Sequence, residues 1–101
     1  MKRFMLLFER LHEPDMATQH KRAGEWFSLI PEGVTETAAA FENTGKVIHK
    51  QSVLDYSKYE KDFGGCMIIK ASSVDEAVTI AQGAPHIDMG GKIVVIPLMD
   101  M

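Results

Sequence analysis

Between Gly64 and Leu98 the chain reads GGCMIIKASSVDEAVTIAQGAPHIDMGGKIVVIPL, and no other stretch narrows the possible folds so far. Cys66–Ala71 is a short apolar run behind a Gly64-Gly65 pair, as expected of a buried strand. Ser73-Val74-Asp75-Glu76 has the form of a capping box: the Ser73 hydroxyl can accept from the N–H of residue 76, and Glu76 can reach back to residue 73. Ala77, Ile80, Ala81 and Ala84 then recur at helical spacing and form a thin apolar stripe that can lie close on a sheet. Gly83 and Pro85 end that helix, Gly90-Gly91 is a turn, and Lys92–Leu98 is a second apolar strand. Strand, helix and strand in this order demand a sheet for the helix to cover.

The rest of the chain extends the same architecture. Lys2–Arg10 reads as a first strand, and Asp15 can cap a helix over Met16–Ile30 that places Ala23, Trp26, Phe27 and Ile30 on one side. Pro31-Glu32-Gly33 should break the helix, since an interior proline costs about 3 kcal/mol. Thr35–Asn43 reads as a second helical run stopped by Gly45, Lys46–Val53 as a strand, and Leu54–Phe63 as a polar connection. With right-handed crossovers, this order predicts an α+β domain: a ferredoxin-like, four-stranded antiparallel sheet with helices on one face.

Both faces of the outer strands are apolar. Phe4, Leu6 and Phe8 point one way, Met5 and Leu7 the other, and Ile93 with Val95 opposes Val94 with Ile96. A sheet with one wet face would alternate apolar and polar residues. Helices can cover only one face, so the pattern predicts a homodimer whose second copy covers the other.

Composition excludes several classes. The 101 residues suffice for one domain with a single core, and the net charge of −3, without a basic stripe, argues against a nucleic-acid partner. No segment approaches the ~18 apolar residues needed to span a bilayer. The run Phe4–Phe8 is too short for a signal peptide and is followed by Glu9 and Arg10. The lone Cys66 fits a reducing, cytoplasmic setting and reads as a small buried hydrophobe.

The opening KRFMLLF, the block GGCMIIKASSVDEAVTIAQGAPH and the closing GGKIVVIPL resemble the YCII-related (DGPF-type) proteins. The resemblance covers the first ten and last forty residues, and it implies a ferredoxin-like fold that pairs into a dimeric α/β barrel. The middle departs from the family. Asp55 stands where the eponymous Asp-Gly-Pro-Phe begins, but Tyr56-Ser57-Lys58 follows it before Glu60, Lys61 and Gly64-Gly65. One branch carries a helix histidine and an acid before a helix-ending glycine. His20 matches the first, whereas Asn43 stands in the acid's place. The resemblance thus implies His20 as a general acid/base with Asp55 as its orienting group, in cofactor-free proton transfer of a lyase or isomerase kind.

Other residues are weighed on their own chemistry. His86 at the sheet end, together with Trp26, Phe27 and Tyr56, could contact a small organic ligand in a cleft between the first helix and the sheet. The plainer reading is core packing for the aromatics and local hydrogen bonding for His86. No expected helix carries the His-x-x-x-His or Glu-x-x-His spacing that puts two metal ligands on one face, and no glycine-rich nucleotide loop is present. Neither metal nor cofactor is therefore expected. The competing reading of the whole is a non-enzymatic ligand-sensing or protein-interaction module.

Overall fold

The computed structural model describes residues 1–100. The chain runs β1 (Lys2–Glu9), α1 (Met16–Leu29), β2 (Thr35–Ala40), β3 (Lys46–Ile48), β4 (Val53–Asp55), β5 (Phe63–Ala71), α2 (Val74–Gln82), α3 (Pro85–Asp88) and β6 (Ile93–Pro97), with a 3₁₀ turn at Tyr56–Lys58. It is an α+β fold whose main sheet has the order β2-β5-β1-β6, with every neighbouring pair antiparallel. β3 and β4 form a separate two-stranded hairpin.

Strand alternation builds the core. In register, Phe4 faces Ile69 and Leu6 faces Met67 across β1 and β5, and Val95 joins Leu6 from β6. All four of Phe4, Leu6, Met67 and Ile69 are fully buried, against Trp26 of α1 and Ala77 and Ala81 of α2. Burying each large side chain contributes about 1.5–3 kcal/mol. The alanines of α2 keep its axis near the strands, as the stripe requires. The residues between them in sequence emerge on the opposite face. Met5, Leu7, Cys66 and Ile68 are only half-buried there, and Val94 and Ile96 are exposed.

Caps set the helix starts. Asp15 accepts from the Thr18 amide at 2.9 Å and from its hydroxyl at 3.1 Å, which holds the Asp15 carboxyl below its ordinary pKa. Ser73 accepts from the Glu76 amide at 3.2 Å, as the capping box requires. The return contact is shifted by one residue: the Glu76 carboxylate accepts from the amide and hydroxyl of Ser72.

Two sequence expectations are corrected. Of Thr35–Asn43, expected to be helical, Thr35–Ala40 forms strand β2 and supplies an edge strand of the main sheet. Alanine favours a helix locally, but Gly33, at φ +87°, turns the chain back after Pro31 and lays the segment along β5. Close approach then matters more than propensity. A Cβ on Gly65 would stand 2.7 Å from the Ala39 carbonyl oxygen, so the glycine admits the alanine strand. Lys46–Val53, expected to be one strand of that sheet, instead folds back on itself as β3 and β4, with the His49 amide bonded to the Ser52 carbonyl. The break at Pro31 does occur, and α1 ends at Leu29.

Candidate functional site

Four aromatic rings run in a row from the outer surface of α1 into the end of the sheet. Phe27 and Trp26 have centroids 5.4 Å apart, Trp26 meets Phe8 edge-on at 6.3 Å, and Phe8 meets His86 edge-on at 5.5 Å. Helical spacing turns Trp26 inward and leaves its neighbour Phe27 exposed. Phe8 lies on the same strand face as Phe4 and Leu6, which brings it beneath the helices.

His86 closes the inner end of this row. Pro85 starts α3 and sets the ring against Phe8, with Gly91 packed flat beside it. A side chain at Gly91 would run into both the imidazole and Leu11. The His86 Nε2 is enclosed and makes no hydrogen bond within the chain. Burial pushes its pKa below 6.5, and the backbone carbonyls of Glu9 and Lys92, with the Glu9 carboxylate, offset part of that push. The imidazole is thereby held towards its neutral form.

A shallow groove of about 440 Å³ opens at the outer end of the row. Phe27 of α1 and Ile30 just past its end form one wall, Thr35 and Ala38 of β2 the other, and Pro31-Glu32-Gly33 the closed end. Ala38 pairs with buried Met67, so the groove lies on the helix side of the sheet, where α1 stops short of covering β2. Its walls are apolar apart from Thr35, and Glu32 is the one charged residue of its lining. Such a groove accommodates a small, largely apolar molecule and offers it little catalytic apparatus.

The remaining sequence candidates lie apart from the row. His20 is exposed on α1 and forms no ion pair with Asp55 or Glu60. Asp55 is bound to Lys46 at 2.6 Å across the β3–β4 hairpin, an exposed pair. The Tyr56 hydroxyl accepts from the Phe63 amide at 2.7 Å and donates to its carbonyl at 3.0 Å, and the ring stands 6.3 Å from Tyr59. Within one chain, Trp26, Phe27 and His86 are therefore brought together through Phe8. His20, Asp55 and Tyr56 remain outside that group. No metal-binding cluster of acidic, histidine or cysteine residues occurs among the described residues.

A second polar centre, absent from the sequence reading, ties β1, β2 and β5 together at the same end of the sheet. The Arg10 guanidinium donates to Asp62 at 2.9 Å, to the Phe41 carbonyl at 3.0 Å and to the Phe63 carbonyl at 3.2 Å. It is largely enclosed, and Asp62 neutralises it. One signal for it was available: Arg10 is a charge at the end of an apolar strand, beside Gly64, where a Cβ would meet the Arg10 backbone at 3.2 Å.

No protein-family model matches this chain, and neither does any curated protein sequence. No helix among the described residues is long and apolar enough to cross a membrane.

Proposed function

We propose that this chain is one half of a homodimeric α/β barrel that binds a small organic molecule in the groove between α1 and β2. The observation that carries this reading is the bare apolar side of the main sheet, where Met5, Leu7 and Ile68 lie half-open and Val94 and Ile96 are exposed. A contiguous apolar face of that kind marks an association surface, and a face shared by two copies packs on itself. The strand order β2-β5-β1-β6 supports the ferredoxin-like arrangement, as does the YCII-like character of the opening and closing segments. The lone Cys66 favours a reducing compartment such as the cytoplasm.

Binding without chemistry is the better half of the reading. His20 has no carboxylate partner among the described residues of its own chain, and Asp55 is engaged by Lys46. Proton-transfer catalysis by these two residues would need His20 of one copy and Asp55 of the other to meet within about 3 Å.

Light scattering at micromolar concentration tests the assembly. We expect a dimer, and a monomer from Leu7→Asp, which places a charge in the middle of the bare face. A monomeric wild-type chain refutes the reading. For the groove, an environment-sensitive apolar dye should bind the wild-type dimer and lose at least tenfold in affinity with Ala38→Trp, which fills the groove. Unchanged dye binding would remove the groove from the reading.

A further inference from the structure

We infer that the β3–β4 hairpin is an arm that closes over a second copy of this chain. The inference rests on the dimer reading and adds to it a segment outside the sheet face. None of residues 42–61 is buried, and only Val47 and Tyr56 are even half-buried. Ile48 is 79% exposed and Val53 61%, and Leu54 and Tyr59 are exposed beside them. The hydrogen bonds of the two strands are internal, Lys46 to Asp55, His49 to Ser52 and Tyr56 to Gly45, while the Tyr56 hydroxyl reaches the Phe63 backbone at the root. Two strands of three residues each do not form a stable unit in water without a surface to pack on.

The two roots of the arm are fixed. Phe41 donates to the Gly64 carbonyl at 2.9 Å, and Arg10 ties the carbonyls of Phe41 and Phe63 together. A firmly rooted arm bearing β-branched and leucine side chains on no support of its own calls for a surface outside the chain.

The area matches what a second copy would cover. The chain exposes 7211 Å², whereas a folded monomer of 11.3 kDa exposes about 5,700 Å². Its radius of gyration is 14.7 Å, against about 12.7 Å expected for this length, and its smallest dimension is 19 Å. The excess of roughly 1,500 Å² lies within the range of about 1,000–2,500 Å² that each subunit of an obligate homodimer buries. A second copy meets the bare sheet face and the arm in one two-fold interface, and each arm then lies on the other subunit.

Amine-reactive cross-linking of wild-type protein, assembled from equal parts of ¹⁴N- and ¹⁵N-labelled chains, tests this without any substitution. Lys50 at the tip of the arm should give cross-linked peptides that carry one light and one heavy strand. The double variant Ile48→Ser/Leu54→Ser should also raise the dimer dissociation constant at least tenfold in sedimentation equilibrium, while the near-ultraviolet signal of Trp26 is retained. Lys50 links confined to single chains, with an unchanged dissociation constant in a folded double variant, would overturn the arm and leave the dimer standing. A wild-type chain that sediments as a monomer at tens of micromolar would overturn both.

Discussion

β5 and the arm that precedes it are joined at Phe63, yet the two segments hold their shape in opposite ways. β5 lies between β1 and β2 and buries Gly65, Met67, Ile69 and Ala71, every second residue, on the helix side. The arm has the same β-branched and aliphatic residue types but no covering layer, and it buries none of them. Side-chain chemistry therefore does not separate the two segments. The difference lies in whether the chain supplies a partner surface. The helix side of β5 is covered within one molecule, whereas the arm and the far face of the sheet are left uncovered by the chain itself.

This contrast can be broken by substitution. Leu6→Ala, opposite Met67 in the core, should cost 2–5 kcal/mol in urea unfolding, because it leaves a cavity that the packed strands cannot close. A cost below about 1 kcal/mol would mean that the helix side is not the true core.

The next effect is pH-dependent and lies at the inner end of the aromatic row. The folded pKa of His86 lies below its unfolded value of about 6.5, so the unfolded chain binds the proton more readily. The neutral, buried ring gives its full stability above pH 6.5, and that stability is lost as pH falls from 6.5 through the lower folded pKa. Urea midpoints measured between pH 7.5 and pH 5 should fall in the wild type, and His86→Leu should remove that component of the slope. An equal slope in the variant would assign the loss to other groups.

The smallest effect belongs to the arm. In a chain kept monomeric by Leu7→Asp, Ile48→Ser should change unfolding stability by less than about 0.5 kcal/mol, as exposed positions do. A larger cost there would show that the arm packs on its own subunit.

The same contrast explains what could be read in advance. The capped helix α2 and the strands flanking it were legible because their signals are local: a Ser73 cap, an alanine stripe and glycine punctuation. The two faces of β1 were legible because alternation fixes them once the strand is known. β2 was not legible. Its alanines favour a helix over short range, and what makes it a strand is Gly65, which comes close only in the folded chain. The turn of the hairpin was hidden for a related reason, since His49-Lys50-Gln51-Ser52 contains neither glycine nor proline. At the candidate site, Trp26, Phe27 and His86 were found from their residue types, but Phe8, which links them, looked like one more core residue. Arg10 escaped notice because two of its acceptors are main-chain carbonyls and the third, Asp62, lies 52 residues away in sequence.

The Arg10 clamp also has a bearing on how such a chain can change over time. One guanidinium secures the last residues before the arm and the first ones after it, so between Phe41 and Phe63 the sheet draws mainly on Asp62, which pairs with Arg10, and on Tyr56, which bonds the Phe63 backbone. Doubling the length of an excursion between two fixed points costs only about 0.6 kcal/mol. The stretch between those two contacts and Phe41 is thus a cassette, open to lengthening or trimming while the β-sheet stays as it is.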